Sequence, residues 1–236
     1  MTEEAGTTLA IIVAAGEGRR LEAPLAKQFL EICGEPVLVH ALRAFEQSPW
    51  VSDILLVLPA SDRESFRQTL SRFSFRKVVD LIPGGEERQD SVRAGLVWSR
   101  TRRPALIMVH DGVRPLVDQQ LIERVWAAAH QHGAAVPGLR AAETIKHVQG
   151  GFVAATVDRE ELYLVQTPQA FRAEVLWAAF DRASEMGLRA TDEAAVVEAY
   201  GHPVALVEGS ALNLKITRRE DLKFAEMLLG GQAMHK

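Results

Sequence analysis

Gly16, Gly18, Arg20 and Lys27 follow the apolar run Leu9-Ala10-Ile11-Ile12-Val13 within one short stretch. Ala15 and the two glycines let backbone N–H groups approach an anion closely, and Arg20 and Lys27 bring the opposite charge. A buried strand that breaks into such a loop is either a triphosphate cradle or a strand-to-helix turn with solvated cations. It matches neither common nucleotide fingerprint. The dinucleotide pattern needs glycine where Leu21 stands, and the P-loop needs Gly-Lys-Ser/Thr, whereas Lys27 lies between Ala26 and Gln28. Two further loops hold groups of the same kind. Pro83 to Ser91 contains Gly84, Gly85, Glu86 and Arg88, and His110 to Pro115 contains Asp111 and Arg114. Lys215 arrives from far along the chain.

These loops depend on the elements around them. Short apolar runs at Asp53–Leu58, Lys77–Ile82 and Ala105–His110 read as further buried strands. Helical spacing separates them. One helix begins at Pro36, a second at a capping box Ser61-Asp62-Arg63-Glu64, and a third spans Arg88 to Arg100. Asp118 caps a fourth, which runs to about Gln131. This alternation implies an α/β fold, a mostly parallel sheet with helices on both faces and right-handed crossovers. Ligands in such sheets sit at the carboxyl ends of the strands, where all three loops fall.

Between Val136 and Pro168 the pattern changes. Thr144–Val148 and Phe152–Val157 flank Gln149-Gly150-Gly151 and read as a β-hairpin. A lone two-stranded ribbon is marginal, so it is expected to pack on a second copy of the chain or back on its own domain. The remainder is α/β again. Helices are expected at Ala173 to about Gly187, from Thr191-Asp192-Glu193 to near Gly201, and at Arg219–Leu229. Val204–Glu208 reads as a strand, and Asn213–Thr217 is expected to return toward the sheet.

Composition limits the partners. A net charge of −4 argues against a general binder of nucleic acid or anionic membranes, whose affinity rests on surplus positive charge. Cys33 is the only cysteine, which excludes an internal disulfide and a thiolate metal cluster, and it reads as a buried structural thiol. Met1 to Thr8 is acidic and polar rather than basic, and no apolar run reaches membrane-spanning length. A cytoplasmic enzyme or binding protein is expected.

Read in order, Ala14-Ala15-Gly16-x-Gly18-x-Arg20, Lys27-Gln28, Gly84-Gly85-x-x-Arg88-x-x-Ser91-Val92, His110-Asp111-x-x-Arg114-Pro115, Thr167-Pro168-Gln169, Thr191-Asp192-Glu193 and Asn213-x-Lys215-x-Thr217 resemble the 2-C-methyl-D-erythritol 4-phosphate cytidylyltransferases of the non-mevalonate isoprenoid pathway. The resemblance covers about Leu9 to Leu229. Each motif is weak alone, and the ordered set is specific. It implies one Rossmann-like nucleotidyltransferase domain over residues 1–236, a homodimer joined by a β-arm at about 137–162, and a Mg²⁺ requirement. The chain departs from the family at Ala26, where proline is usual, and at Gly112-Val113, where two alanines are common. Neither departure removes a charged group.

The implied reaction joins CTP and methylerythritol 4-phosphate and releases pyrophosphate. The resemblance assigns Arg20, Lys27 and Lys215 to the triphosphate and to the charge on the α-phosphate in flight. Ala14, Ala15, Gly16, Gly18, Gly84, Gly85, Glu86 and Ser91 hold the nucleotide, the second glycine loop and Ser91 reading the base. Asp111, Arg114 and Gly16 fall near the ribose, and Arg88 either orients its loop or touches substrate. Asp111 is the candidate Mg²⁺ ligand, with a turn-capping aspartate as the alternative. Thr144 and Arg159 on the β-arm, with Thr191, bind the sugar phosphate, although a strand-end charge and a helix N-cap would also explain the last two. His110 reads as a packing residue beside Asp111. Because no G-x-S-x-G elbow surrounds Ser91, a hydrolase triad is not expected. The remaining alternatives are a ribitol 5-phosphate cytidylyltransferase, a sugar-1-phosphate nucleotidyltransferase and a non-catalytic nucleotide-binding regulator.

Overall fold

A computed structural model describes residues 6–16 and 26–233. Its strands are β1 (Thr8–Val13), β2 (Glu31–Ile32), β3 (Glu35–Pro36), β4 (Asp53–Leu58), β5 (Val78–Pro83), β6 (Leu106–Asp111), β7 (Ala134–Arg140), β8 (Ile145–Gln149), β9 (Phe152–Val157), β10 (Tyr163–Val165), β11 (Gln169–Arg172) and β12 (Ala205–Glu208). Its helices are α1 (Val37–Gln47), α2 (Arg63–Leu70), α3 (Arg88–Ser99), α4 (Gln119–His132), α5 (Ala173–Met186), α6 (Glu193–Tyr200) and α7 (Arg219–Ala233).

Among the described residues, eight strands form one mixed sheet in the order β10-β7-β11-β6-β1-β4-β5, with β12 paired to β7. β1 lies parallel between β4 and β6. All its residues are buried, as expected for a strand covered on both faces. Its alternate side chains separate two cores. Ala10 and Ile12 meet Leu38, Leu42 and Phe45 of α1 and Leu121 and Val125 of α4. Leu9, Ile11 and Val13 meet Val92 and Leu96 of α3, Leu176 and Phe180 of α5 and Val197 of α6. Each fully buried Leu, Ile or Phe contributes about 1.5–3 kcal/mol. The chain leaves β1 toward β4 on one side and later returns to β6 on the other. The strand order therefore reverses between β1 and β6, where an α/β sheet opens a crevice at its carboxyl ends.

The sheet is mostly parallel as expected, and β11 adds antiparallel pairing by inserting between β6 and β7 and running against both. β7, β10 and β11 lack the long β-branched runs that mark buried strands. β7 reads Ala-Ala-Val-Pro-Gly-Leu-Arg and gains its place from β12, β11 and β10 beside it. The Ser61–Glu64 capping box does not form. α2 begins after Asp62, whose helical backbone offers no side-chain cap. Asn213–Thr217 returns toward the sheet as expected, where Ile216 N–H donates to the Val113 carbonyl just past β6 at 2.9 Å. Cys33 is exposed. It sits with Gly34 in the two-residue turn between β2 and β3, both with positive φ (51° and 78°), the backbone of a type I′ hairpin.

The cap at Asp118 and the glycine-turn hairpin are as expected. Asp118 accepts from Leu121 N–H at 2.7 Å and caps α4. β8 and β9 form the expected antiparallel hairpin, a two-stranded sheet of its own. No described helix is long and apolar enough to cross a membrane.

Candidate active site

A cavity of about 130 Å³ opens at the carboxyl ends of β1, β5 and β6. Val13, Ala14, Ala15 and Gly16 line it from β1, and Gly85, Glu86, Glu87, Arg88 and Ser91 from the loop after β5 and the start of α3. Asp111 and Val113 follow β6, and Lys27, Gln28 and Lys215 complete the wall. Most of the nucleotide-site residues expected from sequence are thus brought together. Arg20 and Gly18 lie outside the described residues. A larger cleft of about 650 Å³ at the opposite end of the sheet, lined by Arg103, Arg172 and Trp177, contains none of them.

The glycine loop is set from below. Ala14 N–H donates to the Val57 carbonyl at 2.8 Å, extending β1 by one bond. Gln28, 1% exposed, turns its amide under the loop and donates to the carbonyls of Ala14 at 2.8 Å and Gly16 at 3.2 Å. Sequence reasoning quoted Gln28 only as the neighbour of Lys27, yet it is the brace for this loop. Lys27 begins a short 3-10 turn that ends at Phe29, and Ala26 before it has φ of −61°, the angle a proline imposes.

Gly84 sits where no side chain fits. A Cβ there would lie 2.3 Å from the Ala15 Cβ and 2.7 Å from Ser91 Oγ. Ser91 Oγ donates to the Glu87 carbonyl at 3.2 Å and accepts from Gly85 N–H at the same distance. Ser91 is thus a loop fastener with backbone partners rather than a nucleophile. Gly84→Ala is expected to cost about 1–3 kcal/mol through overpacking and to weaken CTP binding, because Ala15 and the second glycine loop must separate. Calorimetric titration beside urea unfolding checks both effects, and unchanged CTP affinity would show that the contact is not part of the nucleotide site.

Asp111 is the electrostatic centre. Its Oδ1 accepts from Arg88 Nε at 2.8 Å, and its Oδ2 lies 2.7 Å from Lys215 Nζ and 3.8 Å from Arg114 Nε. Burial works to raise its pKa, but Arg88, Lys215 and Arg114 win and hold the carboxyl well below the usual carboxylate range. Arg88 has a second partner that the sequence did not disclose. Its Nη1 and Nη2 donate to Glu193 Oε1 at 2.5 Å and Oε2 at 3.0 Å. Burial opposes the charge on Arg88, and the two carboxylates raise its pKa nonetheless. Burial holds the Glu193 carboxyl above its usual range even though Arg88 pulls it down, and the two-pronged contact is the geometry by which a buried carboxylate keeps its cation. Arg114 is a buried brace whose Nη1 donates to the Asn213 carbonyl at 2.7 Å. That bond, with Ile216 packed beside Val113, holds the Lys215 segment under the cavity.

His110 is fully buried, 4.9 Å from the Phe45 ring centre. Its Nδ1 is 3.1 Å from Thr167 Oγ1 and its Nε2 3.2 Å from the Arg114 carbonyl. Burial pushes its pKa down to about 3 from 6.5. Between those values the unfolded chain takes up a proton that the folded chain refuses, so stability falls as pH drops from 6.5 toward 3, by at most about 1.4 kcal/mol per pH unit. His110→Asn is expected to flatten this slope in metal-free urea unfolding between pH 6.5 and 4. Parallel losses in the two proteins would contradict it.

The sugar-phosphate candidates lie elsewhere. Thr144, Arg159 and Thr191 are exposed and do not line the cavity. Arg159 Nη1 donates to the Ala142 carbonyl, across the base of the hairpin. The cap of α6 is Asp192, accepting from Ala195 N–H at 3.0 Å, rather than Thr191.

Residues 8–231 match the family model described as 2-C-methyl-D-erythritol 4-phosphate cytidylyltransferase. A relative of that name from Geobacillus kaustophilus is 44% identical over 223 residues, 94% of this chain and 97% of that protein. Among solved structures, the 4-diphosphocytidyl-2C-methyl-D-erythritol synthase of Anaerococcus prevotii superposes with a TM-score of 0.84 at 27% identity, covering 96% of this chain and 97% of the other. The 2-C-methyl-D-erythritol 4-phosphate cytidylyltransferase of Thermus thermophilus gives 0.76 at 34% identity, covering 95% and 98%. With agreement of this extent in both sequence and backbone, the chain belongs to the 2-C-methyl-D-erythritol 4-phosphate cytidylyltransferase family.

Proposed function

We propose that this chain is a CTP-dependent nucleotidyltransferase that joins CTP and 2-C-methyl-D-erythritol 4-phosphate to give 4-diphosphocytidyl-2-C-methyl-D-erythritol and pyrophosphate, in isoprenoid precursor biosynthesis. The observation that carries this reading is the meeting of two glycine loops, Lys27, Lys215 and the Arg88–Asp111 pair in one cavity.

The acceptor phosphate is largely dianionic at neutral pH, because a phosphomonoester loses its second proton near pH 6. It needs no general base. One of its oxygens forms the new bond to the α-phosphorus, and the bond from that phosphorus to the bridging oxygen of pyrophosphate breaks. The obstacle is charge, since a dianion must approach a tetra-anion. Lys27 and Lys215, with Arg20 by family resemblance, offset that repulsion and the added charge in flight. The Gly84–Glu86 turn presents backbone groups to the base, and Ser91 holds that turn in place through Gly85 N–H.

Mg²⁺ fits the residues present in one limited way. No cluster of three or more metal-binding side chains occurs among the described residues. Asp111 is ionised and borders the cavity, which suits a cation held mainly by phosphate oxygens and water. Asp111 would hold it, and it would supply charge neutralisation at the triphosphate.

The hairpin supports a dimer. Val148, Phe152 and Val153 are exposed, as are Leu164 and Val165 of β10, and apolar surface of this extent calls for a partner. We place a second copy of the chain there, with Thr144, Arg159 and Thr191 serving the sugar phosphate across the subunits. Charged, water-soluble substrates support a cytoplasmic location.

Pyrophosphate release from CTP and Mg²⁺ tests the reaction, with methylerythritol 4-phosphate and ribitol 5-phosphate as rival acceptors. Strong preference for the first is expected. Preference for ribitol 5-phosphate would overturn the acceptor and keep the chemistry, and release with neither would overturn the enzyme. A monomer with full turnover would overturn the cross-subunit assignment.

A further inference from the structure

We infer that Glu193 is a positioning residue for the reaction, acting on Lys215 through Arg88 and Asp111; this rests on the transferase reading above. Four side chains from four parts of the chain alternate in charge. Glu193 begins α6, Arg88 begins α3, Asp111 ends β6, and Lys215 precedes α7. Their successive contacts are 2.5 Å, 2.8 Å and 2.7 Å. Glu193 does not itself line the cavity and is 1% exposed, so it meets no substrate.

Its position is itself heavily held. Asp192 caps α6 through Ala195 N–H, and Gln169 of β11 bridges to Asp192 Oδ2 at 2.8 Å while accepting from Ala194 N–H at 3.0 Å. Gln169 pairs in register with Val109 of β6. The carboxylate is thus tied to the strand that ends in Asp111, and groups fixed on sheet and helix hold a site more accurately than loop residues do.

Arg88 answers two demands at once. Its Nη atoms go to Glu193, which leaves only Nε for Asp111. Asp111 Oδ2 therefore remains with Lys215. With the Glu193 charge removed, the guanidinium fork is released to take both oxygens of Asp111, the favoured two-pronged geometry. Lys215 then loses its anchor, and its ammonium is no longer held beside the cavity. Glu193 keeps Arg88 from competing with Lys215.

The test is a double-mutant cycle in pyrophosphate release at saturating substrates, with CTP affinity measured by calorimetry. Glu193→Gln is expected to lower kcat about tenfold or more, less than the loss of a direct charge donor at about 10²–10³-fold, with CTP affinity within about twofold of the parent. In a Lys215→Met background the same substitution is expected to have almost no further effect, because residues acting through one group are not additive. Equal fold-losses in both backgrounds, or a loss confined to CTP affinity, would overturn the inference. If Glu193→Gln does not fold, Glu193→Asp gives the same cycle with a smaller first loss, since the shorter carboxylate keeps its charge but reaches the Arg88 Nη atoms less well. Inactivity of the unmodified enzyme would sink the functional reading, whereas a cycle that closes additively on an active enzyme sinks only this relay.

Discussion

Lys215→Met is expected to lower pyrophosphate release about 10²–10³-fold while CTP affinity changes far less. The ammonium stands 2.7 Å from Asp111 Oδ2 at the cavity wall. In the ground state it faces a triphosphate that other cations and backbone N–H groups also bind. In the transition state the α-phosphate carries the approaching dianion as well, and a fixed positive charge gains more there than it did on binding. Lys27→Ala, at another lining residue of the same cavity, is expected to follow the same pattern. Lys215→Met is expected to fold normally, because Asp111 retains Arg88 and Arg114. Steady-state turnover at saturating substrates, beside calorimetric CTP titration, separates kcat from binding. Turnover within about threefold of the parent would remove either lysine from the chemistry.

Arg88→Leu carries the largest expected cost in stability, about 3–5 kcal/mol. Asp111 and Glu193 side chains are 8% and 1% exposed, and Arg88 is the one residue in contact with both among the described residues. Its loss leaves Glu193 as a buried carboxylate without its cation. One arrangement of that kind costs far more than a broken surface pair, which is worth about 0–1 kcal/mol. Arg100, paired with Asp181 at 2.7 Å, is the comparison: both side chains are mostly or half exposed, and Arg100→Leu is expected to shift stability by less than about 1 kcal/mol. Urea unfolding of both variants decides the matter. Equal effects would show that burial of the Arg88 network carries no special penalty.

Local features were legible because their causes are local. The run at β1, the cap at Asp118 and the glycine turn of the β8–β9 hairpin each depend on residues a few positions apart. The same logic misled at Asp62, whose helix starts without a side-chain cap. It misled again at Cys33, where turn geometry holds the thiol in solvent rather than in the core. β11 was invisible because four residues carry little periodicity. Its place between β6 and β7 is set by pairing partners distant in sequence.

By itself the sequence determined the alternating α/β plan, the loops at the strand ends and the ordered motifs that mark the family. Those signals are written in residue type and short spacing. Only the tertiary structure decided which charges meet. Arg88 and Glu193 are separated by 105 positions and Arg88 and Asp111 by 23, and nothing in the residues between them encodes a contact. The pairing arises because parallel strands bring α3 and the end of β6 to one edge, and antiparallel β11 holds the start of α6 there through Gln169. There a buried charge without a partner is costly enough to select the arrangement in which each has one.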